Sequence, residues 1–261
     1  MRLLAAISVL LASGGLLVAC GGSGNTASTP ARTSSSATKT APPRARTPPR
    51  SSAASAHARA QALAFARAVN LRAGDLPGFH ASSEHEHHGA GEKRLEAELL
   101  RCADSAGASR GIAESGSGDF QRRASIISLS VSSEVSVWQT PALAAKELAA
   151  FHSGRLPKCL SHYFSGLLSN QQFRGATVSP ISTKQGSPPA PGTSGSFGLR
   201  FKATVTLRHS IPIPLYIDVL GFVKGSAEVS LLATGLPEPV PAEAEEHLFR
   251  LLLARATAHK P

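Results

Sequence analysis

The 261-residue chain carries 27 Lys and Arg against 17 Asp and Glu, for a formal net charge of +10, with only 5% aromatic residues. Arg2, Arg32, Lys39, Arg44, Arg46, Arg50 and Arg59 all precede residue 61, where there is no acid, so 20 basic face 17 acidic residues in the remainder. A nearly balanced C-terminal part with no interleaving of basic and aromatic side chains argues against nucleic-acid binding.

The chain opens with Met1-Arg2 and an apolar stretch from Leu3 to Ala12, followed by small residues and Leu17-Val18-Ala19-Cys20. This is the order of a secretory signal, and the tetrad has the form of a lipobox, whose cysteine thiol accepts a diacylglycerol. The competing reading is an uncleaved signal anchor. The apolar run ending at Cys20 is 18 residues long and broken by Ser13-Gly14-Gly15, short for a bilayer core of about 30 Å. The expectation is therefore a signal peptide over 1–19, lipidation at Cys20, and attachment to the outer face of the cell membrane without spanning it. Residues 20–56 are Gly, Ser, Thr, Ala, Pro and Arg, too poor in apolar side chains to offset their ordering entropy, which predicts a disordered linker. Its positive charge suits an anionic surface or acidic polymer, or simply keeps the linker solvated and extended.

Residues 57–261 are enough for one sizeable core. Ser55 to Leu71 is Ala-rich, with Leu63, Phe65 and Val69, and reads as a helix; Leu71 to Phe79 reads as a turn. Glu92 to Ala106 places Leu95, Leu99 and Cys102 on one helical face. Ile127, Leu129, Val131, Val135 and Val137 then alternate with Ser128, Ser130 and Ser132, predicting a long strand with one buried and one wet face. Thr140-Pro141 opens a helix through Phe151 as N-cap and N1 residue, and a further helix covers about Pro157 to Ser169. A strand over Ala176 to Ser182 and a Gly/Pro-rich loop from Gln185 to Gly195 follow. Strands are then expected from Phe197 to Leu207, from Leu215 to Val223 and from Ala227 to Leu232, with a last helix from Pro241. Glu243, Glu245 and Glu246 near the start of that helix and Arg250 and Arg255 near its end suit the helix dipole. The order predicts an α+β domain, an antiparallel sheet of about five strands packed with helices.

With Cys20 lipidated, Cys102 and Cys159 remain, and two cysteines in an oxidising compartment are expected to pair. Gly107-Ala108-Ser109-Arg110-Gly111 fits the nucleophile-elbow pattern but lacks the strand before and helix after that the mechanism needs, so it reads as a loop. His80 with Glu84-His85-Glu86-His87-His88 is the one unusual cluster. Imidazole and carboxylate suit zinc, copper or nickel, with His85, His87 and His88 as candidate ligands, against the plainer reading of a solvated polar loop. Asp218, between Ile217 and Val219, either lines a pocket or faces water, and the wet side is favoured. Trp138 reads as packing rather than as a ligand platform. Tyr216 and Phe222 share a parity with Asp218 and Leu220, either as a cleft wall or, as favoured, a face covered by helices.

Three stretches carry a family likeness: Leu76-Pro77-Gly78-Phe79 after the first helix, Val131 to Val137 feeding Ala144-Ala145-Lys146-Glu147-Leu148, and Tyr216 to Phe222 before the last helix. Together they resemble cell-envelope lipoproteins of high-GC Gram-positive bacteria and, more distantly, LpqN-type lipoproteins with a PsbP-like sandwich. The resemblance implies a non-enzymatic accessory or binding role in the envelope. The sequence reading is thus a membrane-anchored extracytoplasmic binding protein, without enzymatic activity or cofactor, for an envelope protein, wall polymer or apolar small molecule. Metal capture by the 80–88 loop is the alternative.

Overall fold

The computed structural model of the chain describes residues 50–82, 90–103, 111–170, 177–206 and 211–260. These hold five helices and nine strands: α1 Arg50–Val69, β1 His80–Ala81, α2 Ala90–Ala103, β2 Ala113–Gly116, β3 Phe120–Ala124, β4 Ile127–Val137, α3 Pro141–His152, α4 Arg155–Asn170, β5 Thr177–Val178, β6 Ser182–Gly186, β7 Gly195–Thr206, β8 Ile213–Lys224, β9 Ala227–Leu236 and α5 Ala242–Ala258. The strands form one wholly antiparallel sheet with the path β1-β3-β4-β9-β8-β7-β5, β2 pairing β4 and β6 pairing β7. The α+β class stands, but the sheet is larger than the five or so strands expected.

The four long central strands are the ones whose alternation shows in the sequence. Around them lie short polar strands, and each outer lane is one strand broken by a bulge. β2 and β3 both pair β4, yet residues 117–119 oppose only Ser132 and Ser133 between Gly116↔Glu134 and Phe120↔Val131. At the break, the Ser117 N–H donates to the Ser133 carbonyl, and the Ser133 N–H donates to Ser117 Oγ at 2.9 Å. Gly118 takes up the turn at φ +77°. The opposite edge uses the same device. Residues 179–181 oppose Ala203 and Thr204 between β5 and β6, and the Thr204 N–H donates to Ser179 Oγ at 2.8 Å. A bulge inserts one residue, so it reverses parity along the lane and cuts the alternation into pieces too short to read.

Helices cover both faces. On one, α2, α3 and α4 bring Leu99, Leu148, Phe151, Tyr163, Phe164 and Leu167 against Phe197, Leu199 and Phe201 of β7 and Leu215, Ile217 and Val219 of β8. Phe151 stacks on Phe197 with ring centroids 3.7 Å apart, and Phe164 meets Phe201 edge-on at 4.8 Å. On the other face, α1 and α5 bring Phe65, Val69, Leu248, Phe249 and Leu252 onto Leu129, Val131 and Val135 of β4 and Phe222, Val229 and Leu231 of strands β8 and β9. α3 begins as its sequence signals, with Thr140 Oγ1 accepting from the Leu143 N–H and Pro141 in the first turn. α1 starts at Arg50, within the stretch assigned to the linker, and α5 starts just after Pro241.

Two polar ties fasten the second layer. Arg255 near the end of α5 donates to both oxygens of Asp75 at 2.7 Å and to the Asn70 carbonyl at 2.9 Å. Burial alone would raise the Asp75 carboxyl, but the Arg255 hydrogen bonds, the Arg72 N–H and the two guanidinium charges outweigh it and hold it below its usual range. Ser133, the one polar residue on β4's apolar parity, is satisfied by the Leu71 N–H and by Asn70 Oδ1.

Candidate functional site

Several expected site residues lie outside the described residues: Cys20, the Ser109 motif, and His85, His87 and His88. His80 is described and sits exposed in β1, opposite Gln121. Among the described residues no group of three or more His, Cys, Asp or Glu is placed to hold a metal ion. Cys102 and Cys159 form a disulfide between α2 and α4, with Cα atoms 5.8 Å apart. Trp138 packs into the core with 6% exposure, as its packing reading expected. No described helix is long and apolar enough to cross a membrane.

The wet face expected of β4 is not wet. The α2–α3–α4 layer draws its apolar contacts from β7, from β8, from Val178 of β5, from Leu232 and Leu236 of β9, and from Ile181 and Trp138; β4 itself contributes none. The β4 half of that face carries Ser130, Ser132, Glu134 and Ser136 of β4 beside Glu228, Ser230 and Thr234 of β9, with Glu114 of β2 across the next lane. Ser130, Ser132, Glu134, Ser230 and Thr234 are each 7% exposed or less. Alternation marks which residues share a face, but not whether another layer encloses the polar one. Here the result is a polar strip that is itself buried.

One end of this strip is acidic. Glu114, Ser136 and Glu228 lie in one register row, and Glu134 lies in the next, opposite Ser230. Glu114, Glu228 and Glu147 of α3 are partly exposed, whereas Glu134 is buried. Burial, then the charges of Glu147 and Glu134, push the Glu228 carboxyl up to about 8. Three buried polar atoms on the same face, Trp138 Nε1, Thr234 Oγ1 and Glu134 Oε2, have no hydrogen-bond partner among the described residues. Buried donors and hydroxyls are nearly always satisfied, so such atoms are unusual.

The opposite face holds a second buried acid pair. Asp218, expected in water, is 3% exposed and pinned by Arg200 of β7, whose Nε donates to Oδ1 at 2.5 Å and Nη2 to Oδ2 at 2.9 Å. Arg200 also reaches Glu245 of α5 at 3.5 Å. Burial first, then the Asp218 charge and a hydrogen bond shared with Asp218, push Glu245 up to about 8, against the opposing pull of Arg200. The Asp218 hydrogen bond in turn raises Arg200 above its ordinary range. Asp218 is corrected because α5 lies over its face, and a buried carboxylate persists only when paired. The favoured reading of that face holds for Phe222, buried edge-on against Phe249 at 5.5 Å, while Tyr216 stays half-buried. This cluster ties α5 to the sheet through Arg200, which reaches both acids, although Glu245 Oε1 is left without a partner among the described residues; the acidic strip, with partly exposed glutamates at its edge, is the better candidate site.

Sequence reasoning passed over Glu134, Glu228, Thr234, Arg200 and Glu245. One signal was available: Glu134 is an acid inside a strand that the same reading called half-buried. The others become visible only through the pairing of strands distant in sequence.

Comparison with known proteins adds little. No family model matches the chain, and no curated protein matches it. Among solved structures, the extracellular domain of PknH from Mycobacterium tuberculosis is similar at 13% identity. That likeness covers 66% of this chain and 100% of that one, with a TM-score of 0.28, and no functional conclusion is drawn from it.

Proposed function

We propose that the chain is a cell-envelope lipoprotein, anchored outside the membrane by acylated Cys20, whose α+β domain is a non-enzymatic binding module with the acidic strip beside Trp138 as its site. The LpqN-like stretches of the sequence agree with this reading. The observation that carries it is the pair of buried, unpartnered atoms Trp138 Nε1 and Thr234 Oγ1 on a floor of serines and glutamates. An apolar cargo would leave those atoms unsatisfied, at a cost of about 1–3 kcal/mol each. The chemistry favours a ligand rich in hydroxyl or carbonyl groups that also carries positive charge, as an amino-sugar polymer of the wall does.

Two measurements test the two halves. Intact mass of the membrane-extracted chain should show loss of residues 1–19 and a diacylglyceryl group on Cys20, absent in Cys20→Ala; an unacylated, uncleaved chain overturns the anchor. Trp138 is the one tryptophan of the chain, and so a reporter at the site. Titration with chitosan oligomers should shift its emission saturably in the parent and not in the Glu134→Gln/Glu228→Gln variant. A flat titration of the parent overturns the binding reading.

A further inference from the structure

α5 is fastened to the domain at two places of unlike chemistry. Near its end, Arg255 meets the single carboxylate of Asp75 and the Asn70 carbonyl, one cation for one anion. Near its start, Glu245 is buried against Arg200 of β7 and Asp218 of β8, where one guanidinium serves two carboxyls. Arg200 gives both its short bonds to Asp218 and reaches Glu245 only at 3.5 Å, and Glu245 Oε1 is buried without a partner among the described residues. Two ionised carboxyls here would leave an uncompensated buried charge, which a protein interior does not hold. A proton on Glu245 removes that charge, and Asp218 accepts the resulting hydrogen bond.

Other neighbours do not answer Glu245. The register row of Arg200 and Asp218 continues into Ala233 of β9 and Val131 of β4, which are not ionisable. On the outer side, Lys184 of β6 is exposed opposite Arg200, and Lys202 of β7 lies over the ring of Tyr216 of β8 at 5.3 Å. On α1, Arg59 and Arg67 are exposed; so is Glu238 before α5, and on α5 itself so are Glu243, His247 and the Glu246–Arg250 pair. Beneath α5 the packing is apolar, with Leu248, Phe249 and Leu252 over Phe222, Val229 and Leu231.

We propose that α5 is a proton-governed cover, held on the sheet by the Glu245–Asp218–Arg200 cluster in mildly acidic solution and opening as a unit towards neutrality, which uncovers Phe222, Val229 and Leu231. An opened α5 places Glu245 in water, where it ionises near 4.5 rather than about 8. Opening thus releases a proton between those values, and its equilibrium constant rises about tenfold per pH unit. The Arg255–Asp75 tie, whose acid is lowered, does not change in this window. Glu228 lies on the opposite face of β9 from Val229, outside the surface that α5 covers.

The test is amide hydrogen exchange of the full chain with its disulfide formed, with rates corrected for intrinsic exchange and measured where reclosing outruns exchange. Amides of residues 248–256 should be less protected than those of β8 and β9, because α5 opens before the sheet does. Their protection should fall about a hundredfold from about pH 5.5 to 7.5. Glu245→Gln should make it independent of pH, while Glu246→Gln, an exposed neighbour on the same helix, should keep the parent's slope. Protection of α5 that is flat in the parent, or that matches β8 and β9 at every pH, overturns the proposal. So does a Glu245→Gln chain with the parent's slope; where that variant does not fold, the parent's slope and the α5-to-sheet difference decide.

Discussion

The acid pair under α5 makes the stability of the domain depend on pH in a window where most carboxylates are silent. Glu245 is held to about 8 in the folded chain, against 4.5 for an ordinary glutamate. Between those values the folded state binds a proton that the unfolded chain has released, so stability falls as pH rises. One such group changes stability by about 1.4 kcal/mol per pH unit at most, so from about pH 5.5 to 7.5 Glu245 alone should remove about 2 kcal/mol. Glu228, raised to about 8 by burial and its acidic neighbours, acts in the same direction. Asp75 is lowered, so its contribution is lost only in more acidic solution and leaves this window untouched. Glu245→Gln keeps the shape and a donor towards Asp218 but cannot ionise. Urea unfolding at the two pH values, with the slope m checked for constancy, should show a clear loss of stability in the parent. The variant should recover about 2 kcal/mol of that difference. A parent whose stability is flat or rises from pH 5.5 to 7.5, or a variant with the parent's full dependence, refutes the protonated acid pair.

Removing the disulfide with Cys102→Ala/Cys159→Ala frees a loop of 57 residues in the unfolded chain, so calorimetry without reductant should show a loss of about 4 kcal/mol; a change below about 1 kcal/mol would mean that α2 and α4 are held without the bridge. Gly235 in β9 packs against the backbone of Glu238 and Pro239, so a Cβ there meets main chain rather than a yielding side chain. Gly235→Ala should cost about 3 kcal/mol in chemical denaturation, and a neutral result would show that the turn after β9 moves freely.

The parity of β4, β7, β8 and β9, the two central helices α3 and α4, and the cysteine pair were all legible in the sequence. Each is a local matter of side-chain period, a Thr-Pro cap, or a count of thiols. Leu129, Val131, Val135 and Val137 are all buried on the face that alternation assigned them. The edge strands were not legible. Arg122 and Arg123 in β3 or Lys184 and Gln185 in β6 show no apolar alternation, and what makes them strands is the ladder offered by β4 and β7. Nor was the fate of the polar residues. A period of two separates the serines of β4 from its valines, but whether the serine side meets water depends on layers contributed by residues far along the chain. α5 buries Asp218 and forces it onto Arg200, while the α3–α4 layer packs on β7 and β8 and leaves Glu134 buried among the serines of β4 and β9. Local sequence determines what each face of an element is made of. Only tertiary packing decides what covers it, because burial is a property of the neighbours and not of the strand.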